Sequence, residues 1–266
     1  MPEPIRLTAS LRHRVWGRTH LAPWYRDSPE PIGEAWFLAD RDLPLLVKLI
    51  FTSERLSVQV HPDDGEEGPC GKTEMWHILD AEPEATIALG FREPITRDRL
   101  REATRTGEIE RLLNWMPVKA GETYFTPAHT VHAIGGGIVL CEIQQNSDIT
   151  YRLWDYGRPR ELHVEKAIPI AELAPHPGPV EPVALGDGRD ELVRAKHFVT
   201  ELVRLSPCAS FTPDAHPCQL WICIAGEAKI GAGSVRAGDV WLLPDDGPQP
   251  AVTTVNGARF LRTWAP

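Results

Sequence analysis

LSVQVHPDD, residues Leu56 to Asp64, decides how the rest of the chain is read. Leu56, Val58 and Val60 alternate with Ser57, Gln59 and His61. A period of two sends alternate side chains to opposite faces of a strand, here one oily and one polar. Pro62 and two aspartates then end the run. A strand facing water ordinarily shows Lys, Thr and Glu. This one shows Ser, Gln and His, all with lone pairs to offer. That face calls for a partner other than water.

The chain has 266 residues, 42% of them hydrophobic and 24% charged, the texture of a globular protein of one large or two small domains. No stretch is long and apolar enough for a membrane helix, and the opening MPEPIRLTASLRHRVWG lacks the apolar core of a secretion signal, so a cytoplasmic location is expected. A net charge of −9 argues against bulk binding to nucleic acid or anionic lipid, so an anionic substrate would need a local basic pocket. The cysteines, Cys70, Cys141, Cys208, Cys218 and Cys223, are odd in number and contain no C-x-x-C pair, which reads as free thiols in a reducing compartment.

Twenty-five prolines and 21 glycines punctuate short β-rich runs such as LLVKLIF (45–51), IVLCEI (138–143) and LWICIAG (220–226), the pattern of a mainly β barrel or sandwich. One helical insertion is expected over 95–116. There Leu100, Ile109, Leu112 and Leu113 fall near helical spacing, Thr96 is a candidate cap and Pro117 follows the end.

The chain also repeats itself. VKAGETYFTPAHTVHAIGGG (118–137) parallels VRAGDVWLLPDDGPQP (235–250), and EMWHILDAE (74–82) parallels QLWICIAGE (219–227). The proline-rich APHPGPVEP (174–182) lies between the copies. The A-G-[D/E]-x-x-x-x-P pattern looks like the second half of a cupin barrel. This gives a bicupin: an N-terminal metal-binding unit over 1–175, a connector over 176–189, and a degenerate C-terminal unit over 190–266. The first copy carries Gln59, His61, Glu74, His129 and His132. The second has Gln219 in place of Glu74, Asp-Asp-Gly in place of the histidine pair, and only His216 as a stray counterpart of His61. The C-terminal unit is therefore expected to hold no metal.

Gln59 and His61 share one strand face. Glu74 lies on the next strand-like run, and His132 follows the turn at Thr126-Pro127-Ala128. Two histidines, a carboxylate and an amide oxygen, with no thiolate, suit one divalent ion, zinc first, with manganese, iron and cobalt as alternatives. His129 reads either as a group supporting a ligand or as a rival ligand.

LSVQVHPDD, GKTEMWHIL (71–79), PAHTVHAIGGG (127–137) and EIQQNSDITYRLWDYGR (142–158) together resemble the type I mannose-6-phosphate isomerase family in its short bacterial form. VWG (15–17), IGEAWFLAD (32–40) and PLLVKLI (44–50) extend the resemblance over most of residues 10–170. It implies a bicupin with one metal, usually zinc, held by Gln59, His61, Glu74 and His132. It places Lys72 and Arg152 in the active site with Glu142 beside it, matches Ser57 and Arg158 to phosphate contacts, and puts Lys48 on a strand near the pocket. The activity it implies is interconversion of mannose 6-phosphate and fructose 6-phosphate through a cis-enediol, carried out by a monomer or homodimer.

The residue types suit that chemistry. A divalent metal polarises a carbonyl, fixed arginine donors such as those of Arg152 meet a developing oxyanion, and Ser57 and Arg158 grip a phosphate. The general base stays open between Glu142, Lys72 and a water on the metal. Lys72 beside other cations would be pushed down towards neutrality, as a base requires. His129, in place of the family's usual small residue, and the short C-terminal half leave the exact sugar open. Two other classes remain: a different metal-cupin enzyme, such as a related sugar isomerase or a dioxygenase, and a non-catalytic sugar-binding or regulatory cupin.

Overall fold

LLVKLIF, Leu45–Phe51, is buried along its whole length, which explains why it is almost continuously apolar. The computed structural model describes residues 3–266 and is mainly β. Leu45–Phe51 sits inside an antiparallel sheet ordered Thr8–Arg18, Ile32–Leu38, Leu45–Phe51, Ile138–Gln145, Glu74–Ala81, Thr123–Thr126. A second sheet runs Tyr151–Trp154, Val58–Val60, His132–Ile134, Thr86–Phe91, Leu113–Pro117. Ile50, Trp76 and Leu140 of the first sheet pack against Leu89 and Ile134 of the second, so the two sheets enclose one core.

The other face of the first sheet is also covered. Val47, Leu49, Phe51, Met75 and Ile143 share a buried cluster with Leu192, Phe198, Leu220 and Leu261 of the C-terminal unit. Across this seam the Phe125 and Phe198 rings meet edge to face, 6.2 Å between centroids. The C-terminal unit is built on the order Val240–Leu242, Leu220–Ile230, Ala258–Trp264, Val199–Leu205, Arg189–Arg194, Val183–Gly186. Strand Ile5–Arg6 extends it, pairing Ile5 with Leu242 and Arg6 with Trp241. The N-terminal residues thus cross the boundary drawn in the sequence. The connector is not wholly irregular either, because Val183–Gly186 pairs with Arg189–Arg194.

The helical insertion is shorter than its pattern. A helix spans Arg97–Thr106, with the Thr96 hydroxyl accepting from the Arg99 amide and Gly107 closing it in the left-handed region, φ 79°. One further turn, Ile109–Leu112, follows. Leu113 onward is strand, with Leu113 opposite Phe91 and Trp115 opposite Ala88. The expected helix over 113–116 is therefore overturned by a free sheet edge. Helix Val164–Ile170 was not anticipated, being short and containing Pro169. It seats Ala167 and Ile168 against Val58, Val60 and Leu153 on the back of the second sheet. All five cysteines are free, and among the described residues no helix is long and apolar enough to cross a membrane.

Because the units share a core, the chain should unfold as one body. Phe198→Ala should cost about 3–5 kcal/mol and lower the single melting transition of the whole protein. Two transitions, with only one moved, would show that the units are stable separately.

Candidate active site and metal centre

Strand register places the chemistry. Gln59 lies opposite His132 on one side and Arg152 on the other. From the facing sheet, Glu142 lies opposite both Lys48 and Trp76, and Glu74 begins the Glu74–Ala81 strand. Lys72 arrives on the loop after His61. Asp64 ties that loop down, its carboxylate accepting from the Gly71 amide at 2.9 Å and the Gln145 side chain at 2.8 Å. Gly71 has to be glycine here, since a Cβ would fall 2.6 Å from the Asp63 carbonyl carbon.

His61, Glu74 and His132 are almost fully buried, and a ligand atom from each lies within 4.8 Å of the others. Glu74 Oε1 is 3.4 Å from His132 Nε2, and Glu74 Oε2 is 3.7 Å from His61 Nε2. Each imidazole is oriented from behind. His61 Nδ1 bonds the Ile149 carbonyl at 2.9 Å, and His132 Nδ1 the Thr130 carbonyl at 2.8 Å. A carbonyl only accepts, so Nδ1 carries the proton and the Nε2 lone pair faces inward.

The donor set fits a divalent ion. Glu74 Oε1 is buried and has no hydrogen-bond partner. The Lys72 ammonium already contacts Glu74 Oε2 and His61 Nε2, so these atoms attract a cation. Gln59 turns its amide nitrogen to His132 Nε2 at 3.2 Å, and a half-turn of the amide would present its oxygen instead. His129 lies outside the group. Its side chain pairs with Glu66 at 2.8 Å, and its backbone amide bonds the His61 carbonyl.

Burial and charge set the protonation states. Burial pushes His132 down to about 3, helped by Lys72, and pushes His61 well below its usual value, so both imidazoles are neutral. Burial raises Glu74. It would raise Glu142 too, but Lys48 and Lys72 outweigh it and hold Glu142 below the usual carboxylate range. The expectation that cations would push Lys72 down is reversed. Burial does pull it down, but Glu142 and Glu74 lie against the ammonium and leave it above the ordinary lysine value.

A cavity of about 590 Å³ opens above this group, with Ser57, Gln59, Lys72 and Glu142 in its wall. Six basic side chains line it (Arg12, Arg14, Lys48, Lys72, Arg152 and Arg160) against three acidic ones (Glu34, Glu142 and Asp148), a local excess of positive charge in a negative chain. Lys48 is nearly buried and donates to Glu142 at 2.9 Å. Arg152 Nη1 donates to the Glu161 carbonyl at 2.8 Å, while its buried Nε has no partner.

Arg158 is not in the cavity wall. Asp155 holds it at 2.7 Å and it donates to the Arg55 carbonyl, so it lines a separate hollow with Arg55 and Tyr156. Sequence reasoning missed Arg12, Arg14, Trp36 and Arg160. A signal for the first two was present: Arg12, Arg14 and Trp16 alternate along Thr8–Arg18 as Ser57 and Gln59 do along their own strand. In the second unit, the Gln219 oxygen accepts from the buried Arg262 guanidinium at 2.6 Å, so the place of Glu74 in the repeat is served by an internal cation. His216 stacks on Trp264, 4.2 Å between centroids.

The chain is 31% identical to the mannose-6-phosphate isomerase of Streptococcus mutans serotype c, over 92% of this chain and 93% of that protein. The chain belongs to the mannose-6-phosphate isomerase family. Bacillus subtilis ManA, a mannose-6-phosphate isomerase, is 33% identical over 91% and 93% of the two chains. The crystal structure of a Bacillus subtilis mannose 6-phosphate isomerase superposes with a TM-score of 0.86 at 26% identity, covering 98% of this chain and 99% of that one. Phosphomannose isomerase from Salmonella typhimurium, at 17% identity, shares the fold with a TM-score of 0.81 over 99% of this chain and all of that one. No family model matches the chain.

Replacing Glu74 by Gln keeps the shape but removes the only carboxylate of the buried group. Divalent-metal affinity should fall by ~100-fold or more, read by titration against a competing chelator. Unchanged affinity would remove Glu74 from the ligand set.

Proposed function

We propose that this protein interconverts mannose 6-phosphate and fructose 6-phosphate, using one divalent metal, zinc, held by Gln59, His61, Glu74 and His132. The observation that carries the reading is the buried His61, Glu74 and His132 group beneath a cationic cavity, in a chain whose relatives are mannose-6-phosphate isomerases. When bound, the metal would supply Lewis acidity for polarising the sugar carbonyl.

The chain's own residues do the rest. Glu142, kept ionised by Lys48 and Lys72, takes the proton from C2. Lys72, kept charged by Glu142, protonates O1. The cis-enediol collapses as O2 gives its proton back to Lys72 and Glu142 delivers its proton to C1, so no proton is gained or lost. Arg152, beside Gln59 in the sheet, offers fixed donors to the oxygen on which charge develops. Ser57 and the basic wall bind the phosphate end. The cavity takes the substrate out of bulk water, which strengthens each of these contacts.

Coupled detection of fructose 6-phosphate tests the proposal. Turnover should vanish with a chelator and return with zinc. Arg152→Met should lower kcat/KM by ~10²–10³-fold while the metal stays bound. Full turnover in chelator would sink the metal assignment, and absence of turnover in the zinc-loaded protein would sink the substrate.

Lys48 gives a pH prediction. Among the charges acting on Glu142, it does most to lower that carboxylate. Lys48→Met lets burial push Glu142 up, so more acid remains protonated at a given pH. The acid limb of kcat/KM should move to higher pH. An unmoved limb would mean that Glu142 is not the group that must be ionised.

A further inference from the structure

The six cations of the cavity wall are not equally engaged. Glu34 holds Arg14 at 2.5 Å, Glu142 holds Lys48, Glu74 holds Lys72, and Asp155 holds Arg160 through two bonds of 2.5 and 2.7 Å. Arg152 is fastened to the Glu161 carbonyl. Among the described residues, the Arg12 guanidinium makes no ion pair and no hydrogen bond, although Arg12 lies opposite Glu34 in the sheet. Arg14, two residues along the same face, takes that carboxylate.

Arg12 is nevertheless not loose. Its guanidinium lies 3.6 Å from the centre of the Trp36 ring, and the Lys48 ammonium lies 4.4 Å from the same ring. A half-buried guanidinium over an indole is held by its face, which leaves its N–H edges free to donate. Those edges suit an anion with several acceptor oxygens, which a planar fork grips with two bonds.

Position agrees with this. Arg12 is on the edge strand of the first sheet, three strands from the Glu142 strand, about 14 Å at the usual ~4.8 Å spacing. The arginine side chain reaches back over part of that gap. The reacting carbons of a sugar phosphate would lie by Glu142 and Lys72, and its phosphate at the far wall.

We propose that Arg12, stacked on Trp36, is the cation that binds the substrate's phosphate and selects phosphorylated over neutral sugars. This rests on the isomerase reading. The role expected of Arg158 passes to a residue from the opposite end of the unit, because Asp155 and the Arg55 carbonyl hold Arg158 in another hollow.

Two measurements on the zinc-loaded protein test it. Arg12→Gln should raise KM for mannose 6-phosphate by ~10–100-fold and change kcat by less than ~3-fold, the signature of lost uniform binding. Arg12→Lys, which keeps the charge but loses the fork, should fall between. Separately, inorganic phosphate should raise the melting temperature of the wild-type protein and do so much less for Arg12→Gln. The second measurement needs no turnover, so it judges Arg12 even if the substrate is wrong. Unchanged KM, or equal phosphate protection in both proteins, overturns the proposal.

Discussion

Buried charge is the constraint on which the rest of the N-terminal unit depends. Lys48, Lys72, Glu74 and Glu142 each expose 5% or less of their side chains. Moving one such ion out of water costs several kcal/mol, so each must be paired. The pairs also link the wall together. Lys48 comes from Leu45–Phe51, Glu142 from Ile138–Gln145 and Glu74 from Glu74–Ala81, while Lys72 comes from the loop fastened by Asp64. The strands that supply the charges are hydrogen-bonded neighbours, so register and electrostatics hold each other in place.

That arrangement needs a stiff support. The first sheet is buried on both sides because the C-terminal unit packs behind it. The second unit adds no residue to the cavity wall, yet it packs on the back of the sheet that carries Lys48, Glu74 and Glu142, the kind of support that a precisely placed site needs. Its own polar interior is closed by Arg262, Gln219 and Glu201, with the guanidinium bonded on several edges.

Much of this was legible in the sequence because the chemistry sits close together there. The alternation around Gln59 and His61 and the motifs GKTEMWHIL and PAHTVHAIGGG each lie within one short segment, and the structure brings Gln59, His61, Glu74 and His132 to one place. The alternation of Arg12 and Arg14 is visible in the sequence, but only strand register brings them and Trp36 to the cavity. Arg158 and Arg160 share one carboxylate, Asp155, and single-sequence spacing does not say which of them faces the cavity. The end of the helical insertion failed for a similar reason. Leu113 to Met116 fits a helix by local pattern, but the unpaired edge of Thr86–Phe91 claims it.

Strand Ile5–Arg6 has a consequence for how the molecule is made. Its partners, Leu242 and Trp241, are 237 and 235 residues further along (242 − 5 and 241 − 6). On the ribosome, residues 5 and 6 stay without their partners until Trp241 and Leu242 have been made. During that interval the outer edge of the second unit does not exist, and the apolar back of the first sheet has nothing to pack on. Pairing over such distance is slow and leaves sticky surface exposed. The newborn chain therefore carries this unpaired strand and uncovered apolar face until the segment around Trp241 and Leu242 has been made.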